Sequence, residues 1–129
     1  MADKEKKVNK NTKIQNFKEL RIWQEGIKVV KDIYLLTKSF PKDEIYGLTS
    51  QMRRCAVSIP SNIAEGFRRY HNKEYKQFLY ITLGSCAELE TQTVIAAELD
   101  YINKTKKEDI IERIQYICKM VFRLIQKLE

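Results

Sequence analysis

A chain of 129 residues is long enough for one domain with its own core, and its four glycines and two prolines supply turn material for little besides helix. A formal net charge of +7 favours polyanionic partners, nucleic acid first and an acidic membrane surface second. One histidine and three cysteines without a Cys-x-x-Cys spacing argue against a metal site or a disulfide framework, and no apolar run approaches the ~20 residues that span a bilayer.

Residues 1–15 hold five lysines, two acids and almost nothing apolar. That is the composition of a solvated basic tail, and residues 16–129 read as one helical domain. The opening "MADKEKKVNKNTK" lacks the apolar centre of a signal peptide. Cys55, Cys86 and Cys118 each sit in an apolar helical context, where free cysteine behaves as a small hydrophobe. The expected setting is a reducing cytoplasm, with all three thiols buried and unconnected.

The first helix is read from the steps of three and four through Leu20, Trp23, Ile27, Val30, Tyr34 and Thr37. "SFPKDE" ends it, and Pro41, Asp43 and Glu44 suit the start of the next. The second helix repeats the spacing through Ile45, Leu48, Met52, Cys55, Ile59 and Ile63. Pro60 lies inside that run. Its missing N–H and its ring cost a helix about 3 kcal/mol, yet the unbroken spacing predicts a kinked helix that passes through it. Gly66 is expected to stop this helix in a left-handed conformation, and Asn72 to cap the third.

The third helix carries the seam Phe78, Thr82, Ser85, Leu89, Gln92, Ala96 and Leu99. A second apolar stripe follows Leu79, Leu83, Val94, Ala97 and Tyr101, with Glu90 among them. A helix apolar on two sides needs a further neighbour, so Leu79, Leu83, Glu90, Val94 and Tyr101 are the expected contacts with another copy of the chain. "NKTKKED" breaks the helix, and Thr105 with Glu108 reads as a capping box for the fourth. There Ile110, Ile114, Ile117, Val121, Leu124 and Leu128 form the seam. Four amphipathic helices with short connections predict an all-α, up-down antiparallel four-helix bundle.

Two stretches carry a resemblance: "YGLTSQMRRCAVSIPSNIAEGFRR" at 46–69 and "FLYITLGSCAELETQ" at 78–92, with "FKELRIWQEG" at 17–26 beside them. Their motifs are Leu-Thr-x-Gln-x-Arg-Arg, Ser-Ile-Pro-Ser-Asn-Ile-Ala-Glu-Gly and Gly-Ser-x-x-Glu-Leu. In this chain they hold Pro60, Asn62, Glu65, Gly66, Gly84, Ser85 and Glu88. The sequence resembles the four-helix bundle family first associated with open reading frames in intervening sequences of 23S ribosomal RNA genes. That resemblance implies a homopentameric ring. A related branch serves as the accessory variability determinant of diversity-generating retroelements, a basic ring thought to engage nucleic acid and a reverse transcriptase.

Charge is unevenly spread. No basic residue falls between Lys76 and Lys104, a stretch with four acids. Arg53, Arg54, Arg68 and Arg69 suit bidentate contacts to phosphate, and they suit acidic groups of a neighbouring subunit equally well. Lys119, Arg123 and Lys127 recur beside Tyr116 at near-helical spacing, which fits a phosphate backbone and a stacked base or simply a solvated face. The leading expectation is a non-catalytic oligomer that associates with RNA. The alternative is a protein-interaction scaffold, such as a reverse-transcriptase accessory protein, whose basic face meets an acidic partner. Catalysis finds no support and no cofactor is called for. A HEPN-type ribonuclease pairs its histidine with an arginine four to six spacer residues earlier, and the positions that would serve His71 are Ala64, Glu65 and Gly66.

Overall fold

The computed structural model describes residues 14–128. Most of the expected basic tail therefore lies outside the described residues, although Ile14, inside the stretch assigned to that tail, already packs against the core. The described chain holds four α-helices and no strand: α1 (Arg21–Thr37), α2 (Leu48–Phe67), α3 (Asn72–Glu98) and α4 (Lys104–Lys127). Short 3-10 turns at Phe17–Glu19 and Lys42–Glu44 precede α1 and α2.

Three of the four helices begin for a visible local reason. Asn16 Oδ1 accepts from Lys18 N at 2.9 Å and starts the turn that leads into α1. Gly47 stands at the N-cap of α2 and offers no side chain, so Glu44 reaches over from the preceding turn and accepts from Leu48 N at 2.9 Å. The cap of α4 is Asn103, whose Oδ1 accepts from Lys106 N at 2.8 Å. Thr105 lies inside that helix, so the expected capping box does not form. Asn72 likewise sits inside α3, with His71 at the cap position.

The helices alternate in direction, as successive contacts show. Gly26 of α1 lies against Pro60 of α2, while Thr37 meets Arg53. Ser58 of α2 meets Ser85 of α3, while Gly66 meets Phe78. Glu90 of α3 meets Gln115 of α4, and Asp32 of α1 closes the circuit on Arg113 of α4 at 2.6 Å. The core runs up the middle, through Ile33, Met52, Ile59, Leu79, Leu89, Ile114 and Ile117.

Helix α2 runs unbroken through Pro60, as the spacing predicts. The ring is buried against α1, where only Gly26 leaves room: a Cβ there would stand 3.3 Å from Pro60 Cβ and Cδ. Gly66 departs from its expected role. It is buried inside α2, no glycine among the described residues has positive φ, and the helix ends one residue later at Phe67. The left-handed residue is Asp100 (φ 64°), just past α3, where Tyr101 N reaches back to Ala96 O at 2.9 Å.

Candidate nucleic-acid interface

The two resemblance motifs meet across α2 and α3. Ser58 Oγ lies 2.6 Å from the Cys55 carbonyl and 2.8 Å from Ser85 Oγ. Cys55 Sγ donates to the Ser85 carbonyl at 3.1 Å, and Asn62 Nδ2 to the Ser58 carbonyl at 2.8 Å. This polar layer lies beside the proline and satisfies its own groups. Burial, with the Glu88 carboxylate nearby, pushes the Cys55 thiol up to about 12. Asn62 therefore bonds within its own helix, and Glu65 pairs with Arg69 at 3.5 Å on the surface.

The arginine pairs part company. Arg53 is half-buried at the α1–α2 seam, donating Nε to Thr37 Oγ1 at 2.9 Å with its guanidinium 4.6 Å over the Tyr34 ring. Its face rests on that ring, and its N–H donors turn inward to Thr37 and the Tyr34 carbonyl. Arg54 beside it is exposed. Arg68 and Arg69 lie at the far end of α2, some 15 residues or about 22 Å along the axis. Arg68 stacks 5.3 Å over Phe17, and Arg69 stacks 4.7 Å over Phe78. A guanidinium held by its face keeps in-plane N–H donors for outward contacts. No spacing in the sequence announces these aromatic seats, because Phe17 and Phe78 reach the arginines only through the fold.

Antiparallel topology carries Arg68 and Arg69 to the same end of the bundle as the last three turns of α4. Lys119, Arg123 and Lys127 are exposed there, without an ion pair among the described residues. Arg21 of α1 joins them, 5.9 Å over the Tyr116 ring. The bundle half made of residues 14–28, 58–85 and 116–128 holds ten lysines and arginines against four carboxylates. The other half, residues 29–57 and 86–115, holds nine against ten. With α3 27 residues or about 40 Å long, the two ends lie several Debye lengths apart at physiological salt. The acidic end therefore leaves the field at the basic pole largely uncancelled.

The expected oligomer contacts need correction. Leu79 is fully buried in the core, and Leu83 is half-buried against it. Glu90 faces Gln115 of α4 at 3.4 Å. Tyr101 packs on Phe40 and donates its hydroxyl to Glu44 at 2.7 Å. The second apolar stripe of α3 is thus the side that packs on α4 and the α1–α2 turn of the same chain. Only Val94, 37% exposed, remains at the surface. The apolar face that α3 does leave open is a different one: Tyr80, Gly84, Ala87, Val94 and Ile95, with Glu88 at its edge. A Cβ at Gly84 would meet nothing within 4 Å.

A groove of about 370 Å³ opens between α1 and α4 at the acidic end, lined by Leu36, Ile102, Ile110 and the Asp32–Arg113 pair. It lies away from the basic pole and from His71. No cluster of three metal-ligating side chains occurs among the described residues, and none of their helices is long and apolar enough to cross a membrane.

The fold is similar to that of a protein of unknown function from the S23 ribosomal protein family of Bacteroides thetaiotaomicron VPI-5482. The TM-score is 0.73 at 20% identity, over 81% of this chain and 97% of that one. No curated protein matches the chain. The family model described as 23S rRNA-intervening sequence protein matches residues 18–123, nearly the whole described bundle. The chain belongs to the 23S rRNA-intervening sequence protein family.

Proposed function

We propose that this chain is a non-catalytic, self-assembling protein that associates with RNA through its basic pole. The observation that carries this reading is the segregation of charge along the bundle: a net +6 around the α2–α3 turn and the end of α4, against −1 at the opposite end. The ring-seated Arg68 and Arg69 and the exposed Lys119, Arg123 and Lys127 supply the contacts. A bend at Pro60, where the Ala56 carbonyl loses its donor, aims the last turns of α2 at that pole. The family's link to ribosomal RNA intervening sequences supports RNA over DNA as the polyanion.

Self-association, as a pentameric ring, belongs to the same proposal. Its surface is the outward face of α3 around Gly84, where small and apolar side chains let another helix approach closely. Repeating the basic pole around a ring lets several subunits hold one RNA.

The test is titration of a structured RNA at two salt concentrations. Wild-type protein binds with a steep salt dependence. Lys119→Ala/Arg123→Ala shallows the slope by about 2, one unit for each phosphate no longer neutralised. Arg54→Ala, at the other end, leaves it unchanged. Salt-insensitive binding, or none at micromolar protein, overturns the proposal.

A further inference from the structure

We infer that Cys86 and Cys118 form a peroxide-responsive thiol pair that closes to a disulfide between α3 and α4. The register places them together. Glu90 and Gln115 join the two antiparallel helices at 3.4 Å. About one helical turn back along α3 lies Cys86, and about one turn forward along α4 lies Cys118. Helix axes packed about 8–10 Å apart, each with its Cα atoms at a radius of about 2.3 Å, put facing Cα atoms roughly 3.4–5.4 Å apart, a range that overlaps the ~4.4–6.8 Å a disulfide spans. Cys86 is wholly buried on the core side of α3, while Cys118 is half-buried at the edge of the contact.

The two thiols are unequal, and the inequality assigns their roles. The Cys86 thiol beside it holds the Cys118 thiol below its ordinary value, whereas that same contact and burial push Cys86 up. Cys118 is therefore both the more acidic and the more accessible of the pair. Its thiolate attacks one oxygen of the peroxide, the O–O bond breaks, and hydroxide leaves to become water. Cys118 is left as a sulfenic acid. The Cys86 sulfur then attacks the Cys118 sulfur, the S–S bond forms, and the hydroxyl departs with the Cys86 proton as a second water. Two thiols lose two electrons and one peroxide becomes two waters. Cys55, on α2, is occupied with the Ser85 carbonyl and stays out.

The full chain, reduced and then treated with hydrogen peroxide, tests this by mass spectrometry. Trypsin leaves the three cysteines on separate peptides: 55–68, 77–104 and 114–119. The expected result is a loss of about 2 Da per chain, a link between the second and third peptides, and a Cys55 still open to alkylation after denaturation. In Cys86→Ser the sulfenic acid persists on Cys118 and is trapped by a dicarbonyl reagent. In Cys55→Ser the disulfide forms as in the wild type. Three unreacted thiols, a link to Cys55, a link between chains, or direct passage of Cys118 to sulfinic acid would each overturn the inference. The peptide map of the unmodified chain decides even if a serine variant fails to fold.

Discussion

Where α3 crosses α2, a glycine is walled in. A Cβ on Gly66 would stand 2.7 Å from Phe78 Cβ and 3.1 Å from Tyr75 Cδ1. On the outward side of α3, Gly84 stands in open space. Each costs its helix about 1 kcal/mol relative to alanine. The first cost is recovered within the chain, because the missing methyl lets two helices close on each other. Nothing among the described residues recovers the second. The difference separates a residue that serves the fold from one that is left for something outside it, although both are helical glycines within resemblance motifs.

Substitutions can sharpen that contrast. The largest effect is expected inside. Leu79→Ala empties a fully buried site and loses about 3 kcal/mol of stability in urea denaturation. A variant with unchanged stability but impaired self-association would put Leu79 back on a subunit interface. Gly66→Ala comes next, at about 2 kcal/mol, because Phe78 meets it near its backbone and has little room to give. Gly26→Ala should lose less, about 1 kcal/mol, since Pro60 stands 3.3 Å away and helix propensity works in alanine's favour.

Gly84→Ala has the opposite sign. The monomeric fold gains about 0.5–1 kcal/mol, while Gly84→Glu weakens self-association in light scattering by setting a charge on the open face. Gly84→Glu assembling as well as wild type would mean that this face is merely solvated. The smallest effect lies in the turn between α1 and α2. The Leu48 N–H, then the Tyr101 hydroxyl, hold the Glu44 carboxyl below its ordinary value of 4.5. A lowered folded value gives stability that is present above the ordinary one and lost as pH falls through the folded one. Wild type should therefore weaken below about pH 4.5, and Glu44→Gln should start lower and lack that part of the acid limb. Equal acid limbs in thermal melts would remove the cap from this account.

Much of the fold was legible because amphipathic helices write their period into the chain. The α4 seam needs only Ile125 in place of Leu124, which is half-buried. In α2, Met52, Cys55, Ile59 and Ile63 are buried as spaced, while Ile45 lies before the helix and is exposed. The α1 seam keeps Leu20 and Thr37 at its ends and slips by one residue between them. Ile22, Gly26, Val29 and Ile33 face the core, Trp23, Ile27 and Val30 are half-buried, and Tyr34 is exposed. Two overlapping apolar stripes satisfy the same period there, and only the neighbours choose between them. In α3, Tyr75, Leu79, Cys86 and Thr93 join the seam, and Leu99 falls out of it.

Of the candidate site, the arginine pairs were visible as residues but not as a place. Local sequence determined four helices, their order, the passage through Pro60 and the excess of positive charge. Those follow from propensity, spacing and counting, which act over a few residues. Tertiary structure alone decided that Arg53 is a seam residue, that Arg68 and Arg69 rest on aromatic rings at one pole with the end of α4, and that Gly66 is packed while Gly84 is open. Each of these depends on how residues far apart in the chain come together. A one-dimensional pattern records that a side chain is apolar, charged or absent, but not which neighbour it meets once the helices close.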